Sequence, residues 1–383
     1  TERFRISRNS RFYVDKSMLI KVLNNKVNKK DRFICVSRPR RFGKTMAANM
    51  IAAYYSKGCD SHEIFSDLKI SKDPTFEDNI NRYTVIKLDI NGAATGKGDK
   101  TIVQYYNENV VPELMKAYPN VGLSSDMSIA KALVSIHEST GDKFVFIIDE
   151  YDLPIRDGKY ASELGEYIAF LVSLFKSEET NYTIALAYLT GIMPIIREKV
   201  QSKLNNFKEY TMISSKDMAP FMGFTEEEVR SLASKSGMAF DDLKKWYDGY
   251  NLKGLEIYSP KSVINAIEEG VCADYWSQTS SYEAVTDYIS LDLDGLKDDV
   301  VSMLSGDRVE VSTSFYRNTM SFDTKDDVLT YLIHLGYLTY DAEDGTYRIP
   351  NNEIKDMWAL SMERARGYEE ISRMIKDSKK LLE

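Results

Sequence analysis

The chain has 383 residues, 43% of them hydrophobic and 28% charged, an ordinary balance for a globular protein with room for two or three domains. Its net charge of −8 gives no global case for nucleic-acid binding. Cys35, Cys59 and Cys272 are odd in number and lack C-x-x-C spacing, and His62, His137 and His334 are equally scattered. This argues against a disulfide framework or a zinc centre. Neither a signal peptide nor an apolar run of ~18 residues is evident, so no membrane contact is expected and the cytoplasm is the expected compartment.

The chain opens at Thr1, which reads as a trimmed or processed start. In chain order, residues 32–37 (RFICVS) read as a buried strand. A basic turn leads into Gly43-Lys44-Thr45, and a helix is expected from Lys44 to about residue 55. Residues 83–90 (YTVIKLDI) form a second strand, and 91–100 (NGAATGKGDK) a glycine-rich, exposed loop. Helical periodicity follows over about 101–117 and 128–138. Residues 143–150 (KFVFIIDE) are an apolar third strand ending in Asp149-Glu150. An amphipathic helix over 163–176 precedes a fourth strand, 182–191, ending in Thr190-Gly191. Apolar strands alternating with helices predict an α/β fold, a parallel sheet with helices on both faces.

Character changes after about residue 216. Thr225 and Glu228 have capping-box spacing ahead of a helix, and further helices are expected from AFDDLKKWYDGY and SPKSVINAIEEG. Residues 221–281 therefore read as a helical lid. A helix from about residue 326, then YLTYD, a Glu-Asp-Gly turn and TYRIP, read as a winged-helix-like domain over 282–355, with 356–383 a C-terminal helix or linker. Residues 1–220 are the expected nucleotide-binding core.

The chemistry rests on spacing. Bound phosphates need backbone N–H groups converging at a helix N-terminus, a lysine, and a hydroxyl for Mg²⁺. Gly43, Lys44 and Thr45 offer these between a strand and a helix, although the first glycine of G-x-x-x-x-G-K-[ST] is replaced by Arg38. Asp149 would then hold the Mg²⁺ shell and Glu150 polarise the attacking water. Thr190 reads either as a phosphate sensor or as a turn residue. The basic run Lys26, Lys29, Lys30, Arg32, Arg38, Arg40, Arg41 and Lys44 either neutralises a polyphosphate or is a solvated face. A whole strand lies in chain order between the lysine strand and the Asp-Glu strand, as in the glutamate-bearing ATPases, so the expected ligand is Mg²⁺-ATP. NKKD at 28–31 matches a guanine-reading pattern but precedes the phosphate loop, so GTP is not expected. LDLDG at 291–295 lacks the ligand count of a calcium loop.

Eight blocks, FYVDKSMLI, SRPRRFGKT, VFIIDEYDLPI, LTGI, GFTEEEV, WYDGYN, YSPKSVINAI and HLGYLTY, run in order from about residue 12 to 352. Together they resemble the bacterial AAA-ATPase-like family, a P-loop NTPase family in which many members end in a PD-(D/E)XK-type nuclease domain. The family's loop typically reads S-R-P-R-R-F-G-K-[ST], so Arg38 matches it. The resemblance implies Lys44 and Thr45 on phosphate and Mg²⁺, Asp149 on Mg²⁺, Glu150 as base and Thr190 as sensor, with Arg40, Arg41, Phe42 and Gly43 completing the loop. Arginine adopts positive φ less cheaply than glycine, so a reshaped loop is expected, with Arg40 or Arg41 supplementing the backbone cradle. No nuclease core is visible. Asp242-Leu243-Lys244 and Asp323-Thr324-Lys325 are isolated D-x-K triplets, and the chain stops about where that domain would begin. FYVDK reads either as adenine packing or as core, and WYDGY as a packing corner. Arg156 and Arg197 are candidates for a trans-acting arginine. The expected activity is ATP hydrolysis driving a conformational switch. The alternative is a nucleotide-gated module with little turnover that engages DNA or a partner protein through the C-terminal domains. Self-association is open to both.

Overall fold

The computed structural model describes residues 1–195, 204–277, 283–291, 293–310, 322–365, 367, 368 and 373. They form two compact units. The first comprises residues 1–37 and 44–210, and the second residues 38–43 and 211–383. Arg197 and Asp292 lie outside the described residues, as does most of the chain after residue 368.

The first unit is built on five strands: β1 (Phe33–Ser37), β2 (Thr84–Asp89), β3 (Phe144–Asp149), β4 (Ile184–Gly191) and β5 (Lys208–Tyr210). All pair in parallel, in the order β2-β3-β4-β1-β5. Every residue of β1, β3 and β4 is buried, whichever face it points to. A parallel sheet reaches that state only when helices cover both faces. In space, the strand between β1 and β3 is β4, and β2 lies outermost. β5 escapes the sequence pattern because three residues, Lys-Glu-Tyr, carry no apolar run.

One expectation fails. Residues 91–100 are not simply a loop: Ile90–Gly96 is a helix. Asp89 caps it by accepting from the Gly92 N–H, and Ile90 and Ala93 are buried on one face. A cap contributes about 1 kcal/mol, and with the burial this outweighs two glycines.

Among the described residues, the second unit holds two antiparallel three-stranded sheets. β6 (Phe224–Thr225), β7 (Tyr250–Leu252) and β8 (Leu255–Tyr258) pair in the order β6-β8-β7. β9 (Val309–Glu310), β10 (Thr339–Asp341) and β11 (Thr346–Arg348) pair in the order β10-β11-β9. The segment read as a helical lid thus also contains a sheet, which strands of two to four residues do not announce. Its helices are Glu226–Ser236, with the Thr225/Glu228 capping box formed, then Phe240–Tyr247 and Pro260–Glu269. The hairpin read after residue 336 is β10–β11, preceded by the helix Lys325–Leu335. One hydrophobic cluster joins these parts, including Phe42, Tyr250, Trp276, Leu329, Ile333 and Trp358. WYDGY is a packing corner: Asn351 Nδ2 donates to the Asp248 carbonyl (2.7 Å) and the Tyr250 hydroxyl to the Gly336 carbonyl (2.8 Å).

Candidate functional site

Three strands of the first unit end in register. Asp89 of β2 lies opposite Asp149 of β3, and Asp149 opposite Thr190 of β4. This carboxyl edge is where open parallel sheets present ligand-binding groups. The helix Lys44–Tyr55 starts at Lys44, and the Thr45 side chain hydrogen-bonds Asp149. Asp149 is buried, and its Oδ1, like Thr190 Oγ1, finds no hydrogen-bond partner among the described residues. Burial raises the Asp149 pKa, opposed by the Thr45 bond and by the charges of Lys87 and Lys44.

Lys44 is 7% exposed. Burial pushes its pKa down to about 8, while Glu150, Asp152 and Asp149 pull it back up. An ammonium held this way favours a neighbouring anion more strongly than a solvated one does.

Glu150 follows β3 with a left-handed backbone, φ 55. Such strain in a non-glycine residue persists only where its surroundings enforce it, often at functional positions. Its Oε2 accepts from Arg156 Nη2 at 3.2 Å. Arg156 Nε lies 3.2 Å from Asp152 Oδ2. Asp152 Oδ2 in turn accepts from the Ile192 and Met193 N–H groups, at 3.2 and 2.9 Å.

The structure therefore brings Lys44, Thr45, Asp149, Glu150 and Thr190 to one edge of one sheet. Sequence reasoning passed over Asp152, Gly191 and Lys87. Gly191 is required by contact, since a Cβ there would lie 2.3 Å from Asp152 Oδ1. Lys87 Nζ donates to Asn49 Oδ1 at 2.6 Å while its charge acts on Asp149. The second Asp of IDEYD was the available signal for Asp152; nothing in the sequence marks Lys87. Arg156, read as a candidate for action in trans, is ion-paired to two acids of its own chain.

The loop ahead of Lys44 belongs by its packing to the second unit. Arg38 is fully buried and its backbone is not left-handed. Positive φ falls instead on Arg41 (69°) and Gly43 (88°), so the place of the missing glycine needs none. Arg41 Nη1 donates to the Tyr275 and Trp276 carbonyls at 2.9 and 3.1 Å. The N–H groups of those two residues donate to Glu353 Oε1. Phe42 meets Tyr250 edge-on with centroids 5.2 Å apart, and its carbonyl accepts from Gly223 N–H. Arg40 is exposed.

Tyr13 of FYVDK stands edge-on to Phe4, and Asp15 accepts from the Ser17 and Lys69 N–H groups. Both D-x-K triplets sit at helices, Phe240–Tyr247 and the start of Lys325–Leu335. Among the described residues no group of three or more His, Cys, Asp and Glu could hold a metal ion, and no helix is long and apolar enough to cross a membrane.

A family model described as AAA-ATPase-like, predicted AAA-ATPase, matches residues 2–201. An uncharacterized protein in the vnfD 5′ region of Azotobacter chroococcum mcd 1 is 22% identical over 261 residues, 67% of this chain and 49% of its own length. The chain thus spans about half the length of the curated relative it matches. Among solved structures, the Aeropyrum pernix ORC2 protein in its ADPNP-ADP complexes aligns at 11% identity and TM-score 0.31, over 91% of this chain and 94% of that one. Cdc6p from Pyrobaculum aerophilum aligns at 12% and 0.32, over 91% and 92%. The fold, an α/β P-loop NTPase sheet, rests on the chain's own strand order and not on alignments this loose. The matched span takes in every strand of that sheet except β5, and the chain belongs to the AAA-ATPase-like family.

Proposed function

We propose that this chain binds Mg²⁺-ATP at the Gly43-Lys44-Thr45 turn and hydrolyses it. The observation that carries the reading is the convergence of a buried lysine with Asp149 and Glu150 at the carboxyl edge of the sheet. The donor set suits Mg²⁺, because Thr45 and Asp149 offer hard oxygens and Asp149 Oδ1 is a buried acceptor without a hydrogen-bond partner among the described residues. Thr45 and Asp149 would hold the ion, which when bound neutralises phosphate charge. Lys44 supplies its ammonium to the β- and γ-phosphates. Glu150 takes a proton from water as the water oxygen attacks the γ-phosphorus and ADP leaves. Thr190 orients that water or touches the γ-phosphate. Gly43 provides the turn, and Arg40, exposed in the same loop, is the cation proposed to supplement it. Arg41 and Phe42 fix the loop's course, since their contacts lie with Tyr275, Trp276 and Tyr250.

Phosphate release from Mg²⁺-ATP tests this. The native chain turns over, and Glu150→Gln loses about 10²- to 10⁴-fold in kcat while still binding nucleotide. Equal turnover in the two refutes Glu150 as the base.

A second reading, a nucleotide-gated module that binds DNA or a partner protein, draws support from the loop, whose Arg38, Arg41 and Phe42 pack within the second unit. A flat gel shift at low salt, with and without Mg²⁺-ATP, removes its DNA form.

A further inference from the structure

Arg156 sits between two carboxylates, and the two are held very differently. Glu150 is part-exposed, and its Oε2 is held by Arg156. Asp152 is 1% exposed and immobilised. Its Oδ2 accepts two successive amides, those of Ile192 and Met193, just after Thr190-Gly191. Two further bonds tie the same segments together, and a third ties them to the helix Leu164–Phe175. The Tyr151 N–H donates to the Thr190 carbonyl (3.1 Å), the Tyr151 hydroxyl to the Met193 carbonyl (2.8 Å), and the Tyr167 hydroxyl to the Tyr151 carbonyl (2.8 Å). Gly191 leaves the space that Asp152 occupies. The end of β4 and the turn after β3 are therefore one stapled body, and Arg156 is the arm by which it reaches Glu150.

We propose that Arg156 is a positioning residue acting in cis. Anchored by Asp152 to the segment that follows Thr190, it holds Glu150 in the orientation from which its second oxygen polarises water. This rests on the hydrolysis reading above and deepens it. One guanidinium bridging a buried acid and a part-exposed acid transfers the order of the first to the second, because its planar fork keeps the two contacts in fixed relation. The same chain of contacts gives Thr190 a route to the base: whatever displaces the tip of β4 displaces Asp152, then Arg156, then Glu150. The inference separates Arg156 from a trans-acting arginine, whose guanidinium would face the nucleotide of another copy.

The experiment is steady-state Mg²⁺-ATP hydrolysis by the full chain and its variants, with nucleotide affinity measured alongside. Misplacing a catalytic group costs about 10²-fold. Arg156→Ala is expected to lose about that in kcat, with KM and nucleotide Kd within about threefold of native. Arg156→Lys, which keeps the charge without the fork, recovers part of the loss. In a Glu150→Gln background, Arg156→Ala lowers the residual rate no further, because the group it positions is already disabled. Mixing Glu150→Gln protein with Arg156→Ala protein restores no turnover. Additive losses in the double variant, a native kcat in Arg156→Ala, or recovery on mixing would each overturn the proposal. If Arg156→Ala unfolds, Asp152→Asn serves. Its side-chain oxygen still accepts the two amides while the charge facing Arg156 is gone, and a loss in kcat with KM unchanged is again expected. Absence of Glu150-dependent turnover in the native chain overturns the hydrolysis reading and the relay together. Glu150-dependent turnover that ignores Arg156 overturns the relay alone.

Discussion

Replacing Lys44 with Met separates the cost of a buried ammonium from its use. Lys44 is buried, and its pKa falls from 10.5 to about 8 with burial as the largest cause, even after the attraction of Glu150, Asp152 and Asp149. At ~1.4 kcal/mol per pKa unit, that displacement corresponds to about 3 kcal/mol. The sign follows from proton binding. Between about pH 8 and 10.5 the unfolded lysine is charged while the folded one is losing its proton, so stability rises with pH across that interval. The penalty is fully present below pH 8 and gone above 10.5. Methionine approximates the neutral lysine in volume. Nucleotide-free Lys44→Met protein is therefore expected to be more stable than native by about 3 kcal/mol at pH 7, with the gain shrinking toward pH 10. The assay is urea unfolding at both pH values, followed by a signal from the first unit. Mg²⁺-ATP should then stabilise the native protein and leave the variant unmoved. A variant no more stable than native at pH 7, or a gain independent of pH, would refute the reasoning.

Glu353 is fully buried, and burial raises its pKa from 4.5 to about 7. Its proton is bound more tightly in the fold, so its contribution is full below pH 4.5 and is lost as pH rises through about 7. Glu353→Gln keeps an oxygen for the Tyr275 and Trp276 N–H groups and should flatten this dependence, with a relative gain at pH 8 of at most about 3 kcal/mol. Comparing urea midpoints at pH 5 and 8 checks it; an equal loss at both would count against it. Gly249 has φ 99, and a Cβ there would lie 2.0 Å from the Pro350 carbonyl oxygen. Gly249→Ala is expected to cost about 3 kcal/mol or more in the second unit, read from its denaturant midpoint. A loss below about 1 kcal/mol would show that the corner yields.

The placement of Lys44, Thr45, Asp149, Glu150 and Thr190 was legible because each ends or follows a strand whose apolar run is unambiguous. A parallel sheet buried on both faces writes itself as continuous hydrophobic sequence, and the strand ends then mark the site. The helix Ile90–Gly96 was not legible. Its two glycines read as loop, and only Asp89 as a cap and the burial of Ile90 and Ala93 decide otherwise. The β10–β11 hairpin was legible from its turn, whereas the sheet β6-β8-β7 and the strand β9 are quiet. Strands of two to four residues carry too short a period to read, and β6 and β9 are selected only by partners more than thirty residues further along the chain.

The sequence by itself determined the parallel sheet, the helix that starts at Lys44 and the acids that end and follow β3, because local periodicity and spacing suffice for these. The tertiary structure alone decided that Arg38 needs no left-handed backbone while Arg41 adopts one, and that Arg41 is held by the Tyr275 and Trp276 carbonyls. It also decided that Arg156 lies on Glu150 and Asp152, and that Gly191 exists to make room for Asp152. These are contacts between residues up to 235 positions apart, set by packing density and by the need to satisfy buried charge, and no pattern along the chain encodes them.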